Sequence, residues 1–263
     1  MATTTCDNIY HTLISGGQCT SGTKLDIRPW WRVTVSSYGI ASGAQMFTGC
    51  QNKLHDINVH GGDLRASDTQ MYNLTLPCGY VGLTGSAGIS KGLIGDKLDM
   101  IDISKLIDVN VVSGGRVTTG DHAWLCDVTV GSGAKLELHG STSANRITIS
   151  SGASVVAYAD CELNNITVHF GGTLKQYDRV HASNVWVDEG ADFFCGNAAE
   201  VIYHSQSPRR PIFFEPSSGR AVAASGPMVT PISMTLMPDN VAKIHVPDTP
   251  WPIKEFIIEV GKK

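Results

Sequence analysis

The sequence predicts an all-β fold: a parallel β-solenoid with 19 residues per turn, irregular N-terminal turns and a C-terminal β cap or appendage. A short phrase recurs at constant spacing, its residues alternate between apolar and polar, and a glycine returns at one position. The five copies begin at Val109, Val128, Ile147, Ile166 and Val185. Such a period indicates a stacked repeat, because sandwich strands keep no strict phase and a propeller blade needs about twice as many residues.

Each phrase begins with a predicted strand. The first and third positions are Val or Ile, and the residue between them is Asn or Thr, except in the last copy, where it is Trp186. β-branched residues in this alternation are typical of a half-buried strand. With a constant period, equal positions stack about 4.8 Å apart. One turn cannot bury its apolar side alone, so stability is expected to come from stacked neighbours.

Two corners of each turn can be placed from the same phrases. The sixth position is always glycine, which predicts a bend with positive φ or a close backbone approach. These structural glycines are Gly114, Gly133, Gly152, Gly171 and Gly190. A polar residue, suited to a second corner, precedes each phrase: Asp108, Asp127, Arg146, Asn165 and Asn184. A further apolar pair in each repeat predicts a third short strand, so one turn has three strands and three corners.

The flanking segments are less regular. Phrases that begin at Val33, Ile57 and Leu74 echo the repeat, but their spacings of 24, 17 and 35 residues up to Val109 predict loops that leave the stack. Residues 84–108 are predicted to hold one degenerate turn plus a loop. In other solenoids such insertions often form the binding face.

The chain is therefore divided into three parts. Residues 1–203 are predicted to form the solenoid, with an N-terminal cap at about 1–32 and the regular turns at 109–195. Residues 204–228, rich in Pro, Ser and Gly, predict a linker or wrapped segment, and residues 229–263 a C-terminal β cap or appendage.

Composition excludes some functions. The net charge of −4 argues against a nucleic-acid partner, whose groove is normally basic. No run of about 18 apolar residues is present, so no membrane insertion is expected. No export signal is visible at the start of the sequence. The histidines and the seven cysteines form no column of equal repeat positions, so neither a metal site nor a cofactor is predicted.

Aromatic residues supply the candidate glycan contacts. Trp30 and Trp31 stand between Arg28 and Arg32, and Trp186 occupies the outward position of its strand. Such residues suit the stacking of sugar rings, although for Trp30 and Trp31 the favoured interpretation is that they close the open end of the solenoid.

Some acidic residues could serve catalysis, because parallel β-helices also include polysaccharide lyases and hydrolases. Glycoside hydrolysis needs two carboxylates about 5–9 Å apart. The regular turns stack one acidic pair, Asp108 and Asp127, in what is predicted to be a polar corner ladder. No catalytic residue is predicted there. The alternative acids lie on the predicted loops of residues 40–108: Asp63, Asp68, Asp96, Asp99 and Asp102.

The phrases VNVVSGGRV, VTVGSGAKL, ITISSGASV and ITVHFGGTL, with TLISGG near the start, resemble the AIDA-type strand-loop-strand repeat of autotransporter passengers. The resemblance implies a right-handed parallel β-helix that serves adhesion or self-association. It also points to Ser113, Ser132 and Ser151 as glycosylated positions. The architecture is similar to phage tail-spike and tail-fibre β-helices, which are usually trimeric.

We therefore expect a noncatalytic β-solenoid scaffold with an adhesion, surface-display or virion-structural role. The alternative is a carbohydrate-active β-helix enzyme that uses the acids of residues 40–108. The expected partners are a surface glycan or further copies of the chain, as a trimer if the protein is phage-like. The location would be the cell surface for an exported passenger and the virion for a phage-like protein.

Overall fold

A computed structural model describes residues 13–27, 32–49, 51–188 and 190–194 with their side chains. It also gives the backbone of short strands outside these ranges. No helix long and apolar enough to cross a membrane occurs in this part of the chain.

The described chain is built from β-strands joined by short connections. The first twelve strands are β1 (Ala2–Thr5), β2 (Leu13–Cys19), β3 (Thr23–Ile27), β4 (Thr34–Ala41), β5 (Gln45–Thr48), β6 (Lys53–Ser67), β7 (Gln70–Thr84), β8 (Gly88–Ile94), β9 (Lys97–Met100), β10 (Lys105–Val111), β11 (Arg116–Thr119) and β12 (Trp124–Val130). The others are β13 (Lys135–Leu138), β14 (Ser143–Ile149), β15 (Ser154–Ala157), β16 (Glu162–Val168), β17 (Thr173–Gln176), β18 (His181–Val187), β19 (Asp192–Cys195), β20 (Glu200–Ser205), β21 (Phe213–Phe214), β22 (Arg220–Ser225), β23 (Pro231–Leu236), β24 (Val241–His245) and β25 (Glu255–Glu259).

Strands pair in parallel with the equivalent strands of the turns before and after, which confirms the predicted parallel β-solenoid. One turn illustrates the plan. Residues 105–107 form its first face, the polar corner is residue 108, and residues 109–111 form its second face. The glycine corner covers 112–115, β11 is the third face, and the third corner covers 120–123.

The interior is filled by the apolar residues that the alternation predicts. Val111, Val130, Ile149 and Val168 stack on the inner side of the second face and are fully buried. Burying one such side chain contributes about 1.5–3 kcal/mol. Each turn buries its side chains against the next turn, so the stack and not the single turn is the stable unit.

Both predicted corners are confirmed. All five glycines at the sixth position have φ between 70° and 86°. The five polar residues before the phrases have φ between 53° and 56°, a left-handed conformation that Asn and Asp tolerate better than most residues. At the glycine corner, backbone N–H groups donate from one turn to the next, as from Gly152 to the carbonyl of Gly171 at 2.8 Å.

The predicted loops of residues 40–108 are wrong. From residue 34 to residue 194, connections between strands contain only two to four residues. Residues 84–108 contain the end of β7, the strands β8 and β9, and the start of β10, all of which belong to the stack. The prediction that a repeat phrase begins at Val33 is also wrong, because the residue that aligns with Ile57 on the second face is Tyr38. Equivalent second-face positions are therefore residues 38, 57, 74, 92 and 109.

Towards the C-terminus, β20 pairs in parallel with β18 and β22 pairs in parallel with β20, whereas β23, β24 and β25 pair antiparallel. The boundaries of the three parts, and the hand of the solenoid, stay predictions. Three cysteines, Cys19, Cys126 and Cys161, are buried, and Cys78 is half-buried.

Candidate functional site: a polar groove along the second face

A shallow groove of about 420 Å³ runs along the second face beside the polar corner. It arises because strand alternation turns every second residue outward, while the left-handed polar corner bends the chain beside it. Its lining residues are Asp108, Asp127, Thr129, Arg146, Thr148, Asn165, Thr167 and Trp186.

Threonines form the floor of the groove. Thr129, Thr148 and Thr167 are direct partners on β12, β14 and β16. Neighbouring turns lie about 4.8 Å apart, so the three side chains repeat at that spacing along the axis. Their hydroxyl groups make no side-chain hydrogen bond within the described part of the chain. Each hydroxyl can therefore donate to and accept from a ligand.

One charged cluster stands on the rim. The Arg146 guanidinium donates hydrogen bonds to the carboxylate of Asp127, at 2.7 Å for Nη2 to Oδ2. It also lies 2.8 Å from the Cys126 sulfur. The Arg146 hydrogen bond lowers the pKa of Asp127, and Asp127 raises the pKa of Arg146. Burial raises the pKa of the Cys126 thiol, so the thiol stays protonated near neutral pH.

Amide side chains continue the rim. The Asn165 side chain donates to the Asn145 carbonyl at 3.0 Å, and Asn184 donates to Asn164 at 3.2 Å. These contacts cross from one turn to the next, so they hold the corner residues in line. The predicted polar corner ladder is confirmed, and Asp108 and Asp127 belong to it.

Trp186 closes the C-terminal end of the groove. It is the direct partner of Thr167 and is 40% exposed. An indole ring beside a row of hydroxyl groups combines an apolar stacking surface with hydrogen-bonding groups. Trp30 and Trp31, the other predicted glycan contacts, lie outside the described residues.

Two of the five alternative acids flank Tyr80 on the third face. The Asp63 carboxylate accepts hydrogen bonds from Arg65, with Nη2 at 3.1 Å, and Asp99 pairs with Lys97 at 2.9 Å. Burial, with a smaller effect of Asp99, raises the pKa of Tyr80. The two acids lie two turns apart, about 9–10 Å along the axis, and each has its own cation.

The other three acids hold corners together. Asp68 accepts from the backbone N–H of Ser86, and Asp96 from that of Gly79, both at 2.7 Å. Asp102 accepts from the backbone N–H of Gly85 at 2.8 Å. The five acids are thus distributed over strands and corners, each bonded to a neighbouring group, and they do not meet in one groove.

Some surface columns were missed in the sequence. The rings of His139, Tyr158 and Tyr177 stack along the edge of the third face, and the Phe194 ring lies tilted against Tyr177, with neighbouring centroids 4.8 to 5.3 Å apart. Lys97, Arg116 and Lys135 align on the outer side of that face. The 19-residue spacing from His139 to Tyr177 and from Arg116 to Lys135 could have revealed both.

Ser113, Ser132 and Ser151, singled out by the family resemblance, are exposed at the glycine corner. They lie on the other side of the second face from the polar corner and do not line the groove.

No family model matches this chain, and no curated protein matches it. Among solved structures, the chain is similar to the crystal structure of the TibC-catalyzed hyper-glycosylated TibA55-350 fragment. The identity is 14%, the TM-score is 0.41, and the match covers 87% of this chain and 96% of that one. At these values the likeness carries no weight in the function proposed below.

Proposed function

We propose that this chain is a noncatalytic β-solenoid scaffold with an adhesion, surface-display or virion-structural role, and that the second-face groove binds a glycan. The observation that carries the proposal is a row of three threonine hydroxyls, unpaired within the described part of the chain, that ends at Trp186. Sugars offer hydroxyl groups along their edges and an apolar ring face, which match a hydroxyl row and an indole.

The rigidity of the stack supports a binding role. The groove residues lie on paired strands or at a hydrogen-bonded corner, so little conformational entropy is lost when a ligand binds. An extended glycan parallel to the solenoid axis would meet one threonine on each turn.

The state of the acids supports the noncatalytic part of the proposal. Hydrolysis by two carboxylates needs one of them protonated as a general acid. In the groove, the Arg146 guanidinium bonds both carboxylate oxygens of Asp127 and lowers its pKa, so Asp127 cannot be the general acid and its oxygens are already paired. No arrangement of the acids at residues 63–102 favours the enzyme alternative, so we do not propose glycosidic cleavage.

A glycan array followed by calorimetric titration of the best oligosaccharide tests the groove. Trp186→Ala should weaken binding several-fold to tenfold, because one aromatic contact contributes about 0.5–1.5 kcal/mol. Thr148→Val should weaken it less, since it removes one hydroxyl group and keeps the shape. The matched control is Phe170→Ala, which removes an aromatic ring that is 68% exposed away from the groove.

The proposal is contradicted if no glycan binds above background. It is also contradicted if Trp186→Ala and Phe170→Ala weaken binding equally, because the groove would then have no special role.

Self-association belongs to the same proposal. Light scattering on the intact chain distinguishes a virion-structural role from that of a single-chain surface scaffold. A stable trimer supports the virion-structural role, whereas a monomer supports a single-chain surface scaffold.

A further inference from the structure

A row of like charges runs along the outer side of the third face. Lys97, Arg116 and Lys135 are direct partners on β9, β11 and β13, and we call them the cationic column. All three are exposed. Like charges directly opposite each other on neighbouring strands are destabilising, so folding alone does not explain this arrangement.

The column is only partly neutralised. Lys97 pairs with Asp99 at 2.9 Å. Arg116 and Lys135 form no ion pair with any residue in the described part of the chain. The hydrogen bond that Lys97 donates to Asp99 raises the pKa of Lys97, while the positive charge of Arg116 opposes that effect. An anion bound along the column would relieve the repulsion between its members.

At its N-terminal end the column borders a depression of about 530 Å³, to which Lys97 itself contributes. Gly43, Gly61 and Gly79 leave the backbone uncovered there, so a ligand can approach it closely. Tyr80 stands at the same place, with the Lys97 ammonium 5.3 Å from its ring centroid. The depression therefore offers an aromatic ring beside a cation.

At its C-terminal end the column continues into Ser154 and Thr173. The whole line thus offers a ring, three cations and two hydroxyl groups along the solenoid axis. A linear polymer with sugar rings and one anionic group on each unit, or on every second unit, matches that order.

Nearby acids argue against nucleic acid as the polymer. Asp99 and Glu137 lie on the same outer face, two residues along the strand from Lys97 and Lys135. A DNA strand carries a negative charge about every 3.4 Å of helix axis, and a duplex about every 1.7 Å, so its phosphates would meet these carboxylates. A sparsely charged polymer can place its anions on the cations alone.

We propose that the third face binds an acidic polysaccharide, whose carboxylate or sulfate groups contact the cationic column and whose sugar ring contacts Tyr80. This surface is separate from the second-face groove, and the inference does not depend on the function proposed for that groove.

The test measures binding of the intact chain to polygalacturonate, with dextran as a neutral polymer and single-stranded DNA as a different polyanion. The key variant is K97Q/R116Q/K135Q. The matched control, K53Q/K91Q/K105Q, removes the same charge from exposed lysines on the first face and its polar corner. The single variant R116Q keeps the Lys97–Asp99 pair.

We expect polygalacturonate to bind with a log–log salt slope of about −2, by analogy with about −0.7 per charge contact for single-stranded polymers. The key triple should weaken binding roughly tenfold or more, R116Q should weaken it less, and the control should change it little. The melting temperature of the key triple should be equal to or above that of the wild type, because repulsion is removed.

Equal loss in the key and control triples would overturn the proposal, since only net charge would then matter. Equal binding of dextran would exclude a role for the cations. Tighter binding of single-stranded DNA than of polygalacturonate would overturn the polysaccharide assignment.

Discussion

The turns before Val109 and the regular turns after it enclose the same kind of interior with different numbers of residues. Turns that begin at positions 57, 74 and 92 contain 17, 18 and 17 residues, whereas those that begin at positions 109, 128, 147 and 166 contain 19. Position 38 also begins a turn of 19 residues. The stacked strands pair in parallel in both regions, although the pairs β4–β6 and β6–β7 contain register shifts at the glycine corner.

The difference lies mainly at the glycine corner. From the second-face start to the third-face start there are seven residues in the regular turn, Val109 to Arg116, but six from Ile57 to Asp63 and five from Gly92 to Lys97. The six-residue corners lie within continuous strands β6 and β7, whose bends contain Gly61, Gly62 and Gly79. A solenoid can thus lose residues at a corner without a change in its faces, provided that the tighter bend is made of glycine.

The largest expected effect is at a short corner. In Gly62→Ala the added Cβ would contact the Ile40 side chain and lie 2.7 Å from the backbone oxygen of Ala41. Such overpacking should cost about 2–3 kcal/mol of unfolding free energy. Gly152→Ala, at a regular corner with φ of 72°, should cost about 1–2 kcal/mol for its left-handed backbone. Denaturant unfolding measures both.

Gly120→Ala is the matched control for these variants. Its Cβ would have 3.8 Å to the nearest atom, and no positive φ is involved. Its stability should change by less than about 0.5 kcal/mol. If Gly62→Ala is no more destabilising than Gly152→Ala, the short corners are not tighter than the regular ones.

Replacing a buried polar residue with leucine should destabilise one of the two regions and stabilise the other. Near the N-terminal turns, Asn52 accepts from the backbone N–H of Val33 at 2.9 Å and donates to Thr48 at 3.1 Å. Asn52→Leu should cost about 1–3 kcal/mol, because partners lose their bonds. In the regular turns, Gln176 is fully buried and its amide atoms find no hydrogen-bond partner in the described structure. Gln176→Leu should stabilise by about 1–2 kcal/mol.

Thermal unfolding of both variants checks this pair of predictions. A loss of stability in Gln176→Leu would mean that its amide has a partner in the folded protein.

The smallest expected effect is the pH dependence of the polar corner. The folded-state pKa of Asp127 is lowered by Arg146, so this pair adds stability above the unfolded pKa of about 4 and loses it as pH falls through the folded pKa. The melting-temperature difference between the wild type and Arg146→Gln should therefore be larger at pH 7 than at pH 3. At the equivalent corner of an earlier turn, the Asn73 amide donates to Asp56 in place of a cation, and no ion pair forms there within the described residues.

Lys53→Gln is the control, because it removes an exposed cation on the first face without touching that corner. Equal differences for Arg146→Gln at both pH values would show that the ion pair does not contribute.

The regular half of the fold was predictable because its inward positions carry Val, Ile or Leu at constant spacing. The earlier turns were hidden because two inward positions break that rule. Gly92 stands where other turns have a branched residue, and the Ile89 and Val109 side chains pack around it. Tyr38 occupies the equivalent place two turns earlier than Leu74. Because these two positions lack the repeat's Val or Ile, the sequence pattern predicts loops where the chain forms turns of the stack.

The groove was partly predictable. Strand alternation placed Trp186 and the threonines outward, and turn chemistry placed the polar corner beside them. The bond from Arg146 to Asp127 and the bonds of the five alternative acids depend on side-chain conformations across turns. Period alone does not determine these contacts.

The most direct test of a continuous stack is thiol labelling at two adjacent positions on β8. Leu93 is 43% exposed and Ile94 is fully buried. Leu93→Cys should react with a maleimide at least as fast as the half-buried Cys78. Ile94→Cys should react as slowly as Cys161, whose burial raises its pKa to about 11. Equal, fast labelling at positions 93 and 94 would contradict the account, because residues 84–108 would then form a loop outside the stack.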